Sequence, residues 1–147
     1  MAGNFELGTD GPREILVGVD GSDTSMHAAA YAAGLARRQG ASLVVLYVVT
    51  TTVASGMAAT AGAMIETQKD IEADLERQIS EGVRRLGIDV TFVKRQGNPY
   101  TELVRVADEM RVDAIVVGAS MQAGHRLVGS LAGRLVKDAR WPVTVVP

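Results

Sequence analysis

The sequence predicts an α/β protein built on an open parallel sheet of five strands, with helices on both faces. Three observations carry this expectation. Short apolar runs bounded by turn residues recur at 13–20, 41–49, 88–94, 113–118 and 142–146. A helix-type or unpatterned connection separates each successive pair, and each is long enough for the crossover that parallel strands require. A chain of 147 residues with 47% hydrophobic content suits one core. One domain over residues 13–147 is therefore expected, preceded by a flexible tail at 1–12.

The first strand, REILVGVD, closes at Gly21, and Ser22, Asp23 and Thr24 follow as helix-capping residue types. The alanine-rich stretch from Ser25 to Gln39 predicts a helix that stops at Gly40. Small side chains there allow close approach to the sheet. ASLVVLYVV at 41–49 is nearly continuous β-former, as expected of a central strand covered on both faces. Residues 50–63, rich in Thr, Ala and Gly, present no helical face and read as a flexible connection.

In the span 64–86 the apolar positions Ile71, Leu75, Ile79, Val83 and Leu86 recur at helical spacing among charged residues, predicting an amphipathic helix. Gly87 ends it, and 88–94 alternates like an outer strand. Asn98 and Pro99 open a helix in which Leu103, Val106, Ala107 and Met110 share a face. DAIVVG at 113–118 is the fourth strand, 129–139 the fourth helix and PVTVV at 142–146 the fifth strand.

Composition narrows the function classes. Lys plus Arg number 15 against 17 Asp plus Glu, so the net charge is −2 and no concentrated basic surface is expected for nucleic acid or anionic membrane. The chain has no cysteine, which removes thiol catalysis and Cys-ligated zinc and fits a reducing cytoplasm. His27 and His125 are too isolated to frame a metal site. The longest apolar run, 43–49, is far short of the ~20 residues of a membrane helix. No basic segment followed by an apolar stretch marks the first residues as a secretion signal.

The chemistry-bearing residues concentrate after strands one and four. Asp20 precedes Gly21-Ser22 at a strand end, where it reads either as a turn cap or as a ligand contact. Gly118 either turns the chain or admits a ligand, and Gly129-Ser130 either caps the fourth helix or presents its N–H groups to an anion. His125 and Arg126 read as solvated loop residues or as anion contacts, with Gly124 as a flexible point beside them. His27 is expected to be structural, and Met57 and Met64 to be adaptable packing. Ser22, Ser25 and Ser120 have no His and acid partners for a nucleophilic triad, so no catalytic residue is assigned and enzymatic turnover is not expected.

VDGSDTS after the first strand, LYVV in the second, GNPYTELVRVADEMRVDAIVVG, Gly129-Ser130 and WPVTVV together resemble the universal stress protein family over residues 13–147. The resemblance implies a Rossmann-like sheet of the adenine nucleotide alpha hydrolase type, with strand order 3-2-1-4-5. It further implies an adenine nucleotide such as ATP at the switch between strands one and four. Carried over by position, Asp20 would lie near ribose and phosphates and the Val48 backbone would face the base. Gly118, Gly129 and Ser130 would meet ribose and phosphate, with magnesium present only alongside nucleotide.

The nucleotide-binding subset of that family carries glycine, two residues, glycine, nine residues, then glycine with Ser or Thr. Here Met121 stands at the second glycine and seven residues separate it from Gly129. Methionine disfavours positive φ and occupies phosphate volume, so a mononucleotide or weakly held ATP suits this loop best. A nucleotide-free interaction module is the alternative, and an ATPase or self-phosphorylating protein a third reading. The resemblance also implies a cytoplasmic homodimer paired through Pro142 to Val146, with Trp141, Val143 and Val145 in the contact. A monomer whose edge is protected by Pro142 and Pro147 is the other expectation there.

Overall fold

The computed structural model describes residues 11–50, 58–119 and 130–147, and their side chains except those of 58–68. In chain order the elements are β1 (Glu14–Val19), α1 (Asp23–Gln39), β2 (Ser42–Val49), α2 (Ala58–Arg84) and β3 (Val90–Gln96). They continue with α3 (Pro99–Glu109), β4 (Ala114–Gly118), α4 (Ser130–Asp138) and β5 (Val143–Val146). The strands form one parallel sheet in the order β3-β2-β1-β4-β5, as the resemblance implies. The flexible tail expected at 1–12 lies almost wholly outside the described residues.

Strand alternation sorts the core onto two faces. Ile15, Val17, Val19, Leu43, Val45 and Tyr47 point to the side covered by α1 and α2. Leu16, Val44, Leu46, Ile115 and Val117 point to the side covered by α3 and α4. Because successive side chains of a strand alternate between faces, a near-continuous apolar run is what a doubly covered strand needs.

Helix α1 buries Ala28, Ala29, Ala32, Ala33 and Ala36, a methyl-only face that lets its axis lie close over β1 and β4. The Ser22 side chain accepts from the Ser25 N–H at one end, and Gly40 at φ 64° closes the other. Helix α3 starts the same way, with the Asn98 side chain accepting from the Thr101 N–H at 3.1 Å and Pro99 in the first helical turn. We expect Asn98→Ala to cost about 1 kcal/mol. A lower urea midpoint at unchanged m-value would register it; an unchanged midpoint would mean that the cap contributes nothing.

One expectation needs correction. Residues 58–63, read as part of a flexible connection, form the first turns of α2, which therefore begins six residues before Met64. The absence of an apolar face misled the reading, whereas Ala58, Ala59, Ala61 and Ala63 have the highest intrinsic helix propensity of any residue type. The other ends shift by one or two residues: β3 spans Val90–Gln96 rather than 88–94, and α1 begins at Asp23 rather than Ser25.

Helix α4 is short and is attached to the sheet by only two fully buried side chains, Ala132 and Leu135. Polar contacts with α3 supplement them: the Tyr100 hydroxyl donates to Asp138, and the Arg134 guanidinium lies 3.7 Å from the Tyr100 ring centroid. Edge strand β5 is half-buried along its length, and Val136 on α4 is 57% exposed. Among the described residues no helix is long and apolar enough to cross a membrane.

Candidate functional site

The sheet opens at one place along its carboxyl edge. Strands β1 and β4 pair from Ile15↔Ala114 to Val17↔Val116 and then part. On the other side β1 ends at Val19↔Tyr47, while β2 continues to Val49 against Gln96 of β3. The backbone of Val48 and Val49 therefore has no strand partner on its β1 side. The two crossovers leaving β1 and β4 go to opposite faces of the sheet, which makes this notch a topological switch point, the usual ligand position in open α/β sheets.

Asp20 leaves β1 at the floor of the notch. Its Oδ1 accepts the Ser22 N–H at 2.8 Å, and its own N–H donates to Ser25 Oγ at 3.2 Å. Ser25 Oγ in turn donates to the Ser22 carbonyl at 2.9 Å. Gly21 adopts φ 86° to make this turn, and a Cβ there would lie 3.8 Å from Ile71 and Leu75 of α2. Asp20 thus does serve as a turn cap, and does so with one carboxylate oxygen while the residue stays exposed.

Partial burial pushes the Asp20 carboxyl up, but hydrogen bonds from the Ser22 and Ser25 side chains and from backbone N–H groups outweigh it and hold it below the ordinary range. A depressed folded value contributes stability that is present above the ordinary aspartate range and lost as pH falls through the folded value. We expect Asp20→Asn to lower stability near neutral pH by less than about 1 kcal/mol, given its exposure. The difference should vanish in acid; urea midpoints across the acid range check it.

Gly118, at the end of β4, has a further reason for being glycine. A Cβ there would sit 2.6 Å from the Thr24 carbonyl carbon and 2.8 Å from the Ser25 nitrogen. The first turn of α1 rests directly on it, with Thr24 and Ser25 both buried. Neither turning the chain nor admitting a ligand is required to explain this residue. Ala119 N–H then donates to the Val146 carbonyl at 2.7 Å, tying the end of β4 to β5.

The structure accordingly brings Asp20, Val48 and Gly118 to one edge, on the ends of β1, β2 and β4. Ser130 is the exposed first residue of α4. Met121, Gly124, His125, Arg126 and Gly129 lie outside the described residues.

Two flanks of the notch were not singled out in the sequence. On the α2 side, Val19, Tyr47 and Lys94 form an in-register row across three strands, and the Lys94 ammonium meets Glu72 of α2 at 2.5 Å. Burial raises the Tyr47 phenol, Glu72 and Asp20 raise it further, and Lys94 opposes them. On the α3 side, Glu102 is only 6% exposed, pairs with Arg105 at 2.9 Å, and packs over Gly97. Gly97 holds φ 143° and donates its N–H to the Val49 carbonyl at 3.0 Å. Glu102 was findable, because it stands four residues before Val106 and so shares that buried helix face. Among the described residues no three His, Asp or Glu side chains converge as a metal site.

Comparison with known proteins agrees with this architecture. A universal stress protein of Methanocaldococcus jannaschii is 29% identical over 138 residues, spanning 91% of this chain and 81% of its own. The solved structure of universal stress protein UspA from Lactobacillus plantarum is 29% identical, covers 91% of this chain and 97% of its own, and superposes with a TM-score of 0.77. A universal stress protein solved with cAMP (24% identity, 92% of this chain and 97% of its own, TM-score 0.71) shares the fold. So does one from Archaeoglobus fulgidus solved with dAMP (21%, 91% and 97%, TM-score 0.67). The sequence profile of the universal stress protein family matches residues 12–147, and the chain belongs to that family.

Proposed function

We propose that the protein is a stress-response protein of the cytoplasm that binds an adenine nucleotide at the notch between β1 and β4 and acts as a dimeric regulator. The observation that carries the reading is the parting of β1 from β4 beneath the α1 N-terminus, with Asp20, Val48 and Gly118 on the three converging strand ends. Relatives of the same fold solved with cAMP and dAMP support the ligand class. The Val48 backbone, without a strand partner on its β1 side, suits the edge of a base, and the Asp20 carboxylate suits a ribose hydroxyl. A mononucleotide is preferred over ATP, because Met121 and the short run to Gly129 leave less room for a triphosphate. Magnesium would accompany a triphosphate only. The dimer is assigned to β5, a half-buried edge whose Val143 and Val145 flank Thr144.

A nucleotide-free dimeric interaction module is the second reading. It is favoured by two observations: Asp20 is engaged in its own turn, and Gly118 is explained by α1.

Calorimetric titration with AMP, cAMP, ADP and ATP separates the two, with sedimentation run on the same samples. The first reading expects one adenine nucleotide per chain, weakened about tenfold by Asp20→Asn, and a dimer throughout. Absence of heat with all four nucleotides in a folded dimer leaves the interaction module; a folded monomer that binds none removes both.

A further inference from the structure

The outward face of α1 carries a shallow cleft of about 240 Å³ lined by Ala30, Tyr31, Gly34, Leu35 and Arg38. Tyr31 is 49% exposed there. The volume is below the ~300 Å³ at which small-molecule pockets begin. Among the described residues the lining comes from one helix, and its shape suits a single bulky side chain from another segment.

Gly34 forms the notch in this cleft. A glycine inside a helix costs roughly 0.5–1 kcal/mol relative to alanine. Among the described residues no atom lies within 4 Å of where its Cβ would be. Close approach to the sheet does not explain it, since the buried face of α1 is the alanine stripe on the other side. Gly82 and Gly133 are equally open, but neither lines this cleft.

The chain itself supplies an occupant. Gly11, the first described residue, lies beside Gln39 at the last turn of α1, where its Cβ would meet Gln39 Oε1 at 2.7 Å. The ten residues before it read MAGNFELGTD: they include Phe5 and Leu7, two acids at Glu6 and Asp10, and no Lys or Arg. The C-terminal end of α1 offers exposed Arg37 and Arg38. From Gly11 to Phe5 the chain can reach about 20 Å. From Gln39 back to Ala30 along the helix is only about 14 Å.

We propose that the N-terminal segment docks on the outward face of α1 of its own chain, with Phe5 seated over Gly34 and Glu6 and Asp10 meeting Arg38. Phe5 then covers Tyr31 and Leu35, and the missing Gly34 side chain makes the room. A second copy of the chain is the competing occupant.

The test is cleavage after Glu6 by a Glu-specific protease, followed by intact mass on the full-length protein. Docking protects this bond in proportion to the bound population when opening is fast. Phe5→Ser, outside the described residues, and Gly34→Leu, which fills the notch, should each speed cleavage about tenfold, after correction with the corresponding free decapeptides. Arg38→Glu, an exposed substitution, provides a second cleft variant should Gly34→Leu not fold. Equal rates in parent and variants overturn the proposal. Faster cleavage with Phe5→Ser alone overturns the cleft assignment. Protection that fades on dilution of the parent gives the cleft to a second copy and overturns docking within the chain.

Discussion

Gly118→Ala is expected to destabilise the protein by about 3 kcal/mol, near the upper end for overpacking. The new Cβ would fall 2.6 Å from the Thr24 carbonyl carbon and 2.7 Å from its oxygen. Those are backbone atoms of the first turn of α1, and no rotamer change can move them. Either α1 lifts from β4 or β4 retreats from its register with β5. In a domain of this size the melting temperature should fall on the order of 10 °C. Gly18→Ala is the internal control, because its Cβ would lie 3.4 Å from the mobile end of Leu103, at ordinary contact distance. Its cost should stay below about 1 kcal/mol. Parallel thermal melts decide the matter, and equal losses at the two glycines would refute the special contact at Gly118.

Leu135→Ala carries the other large effect, again about 3 kcal/mol. Leu135 is completely buried, and it and Ala132 are the two buried apolar side chains of α4, with Leu131 partly buried beside them. Truncation leaves a cavity that the nine-residue helix is too short to collapse upon. The Tyr100 and Arg134 contacts remain but are exposed and contribute little alone. Hydrogen exchange should therefore accelerate first in 130–138, before the sheet opens. Because Ser130 begins this helix, any ligand contact at Ser130 should weaken with it. Uniform acceleration across β1, β2 and α4 would show that α4 does not open separately.

The elements that the sequence displayed well were those whose pattern and boundary chemistry agree. The run 41–49 is apolar on both faces because α1 and α3 cover both, and Asn98-Pro99 is a cap followed by the one residue whose missing N–H a first turn does not use. Strand order was legible only through the family resemblance, since parallel strands leave no mark of which neighbour they choose. The start of α2 was missed because propensity acted there without periodicity. At the site, Asp20 and Gly118 were found by their places at strand ends, but their local partners were not. The contact of Gly118 with Thr24 joins residues 94 positions apart, and the ladder row Val19–Tyr47–Lys94 needs register that no single segment encodes.

The seam between β1 and β4 has a consequence for the order of events during synthesis. The Asp113 side chain accepts the N–H groups of Arg13 and Glu14, and the Asp113 N–H donates to the Glu14 carbonyl, so this seam ties the beginning of the domain to a segment about a hundred residues later. Until β4 has left the ribosome, β1 is an outer strand with one edge unpaired, and its apolar residues face a half-built core. Such non-local pairing is slow and leaves partly made chains prone to association. The notch does not exist before β4 docks. A ligand held there would therefore reward only the finished molecule, selecting complete chains from nascent ones.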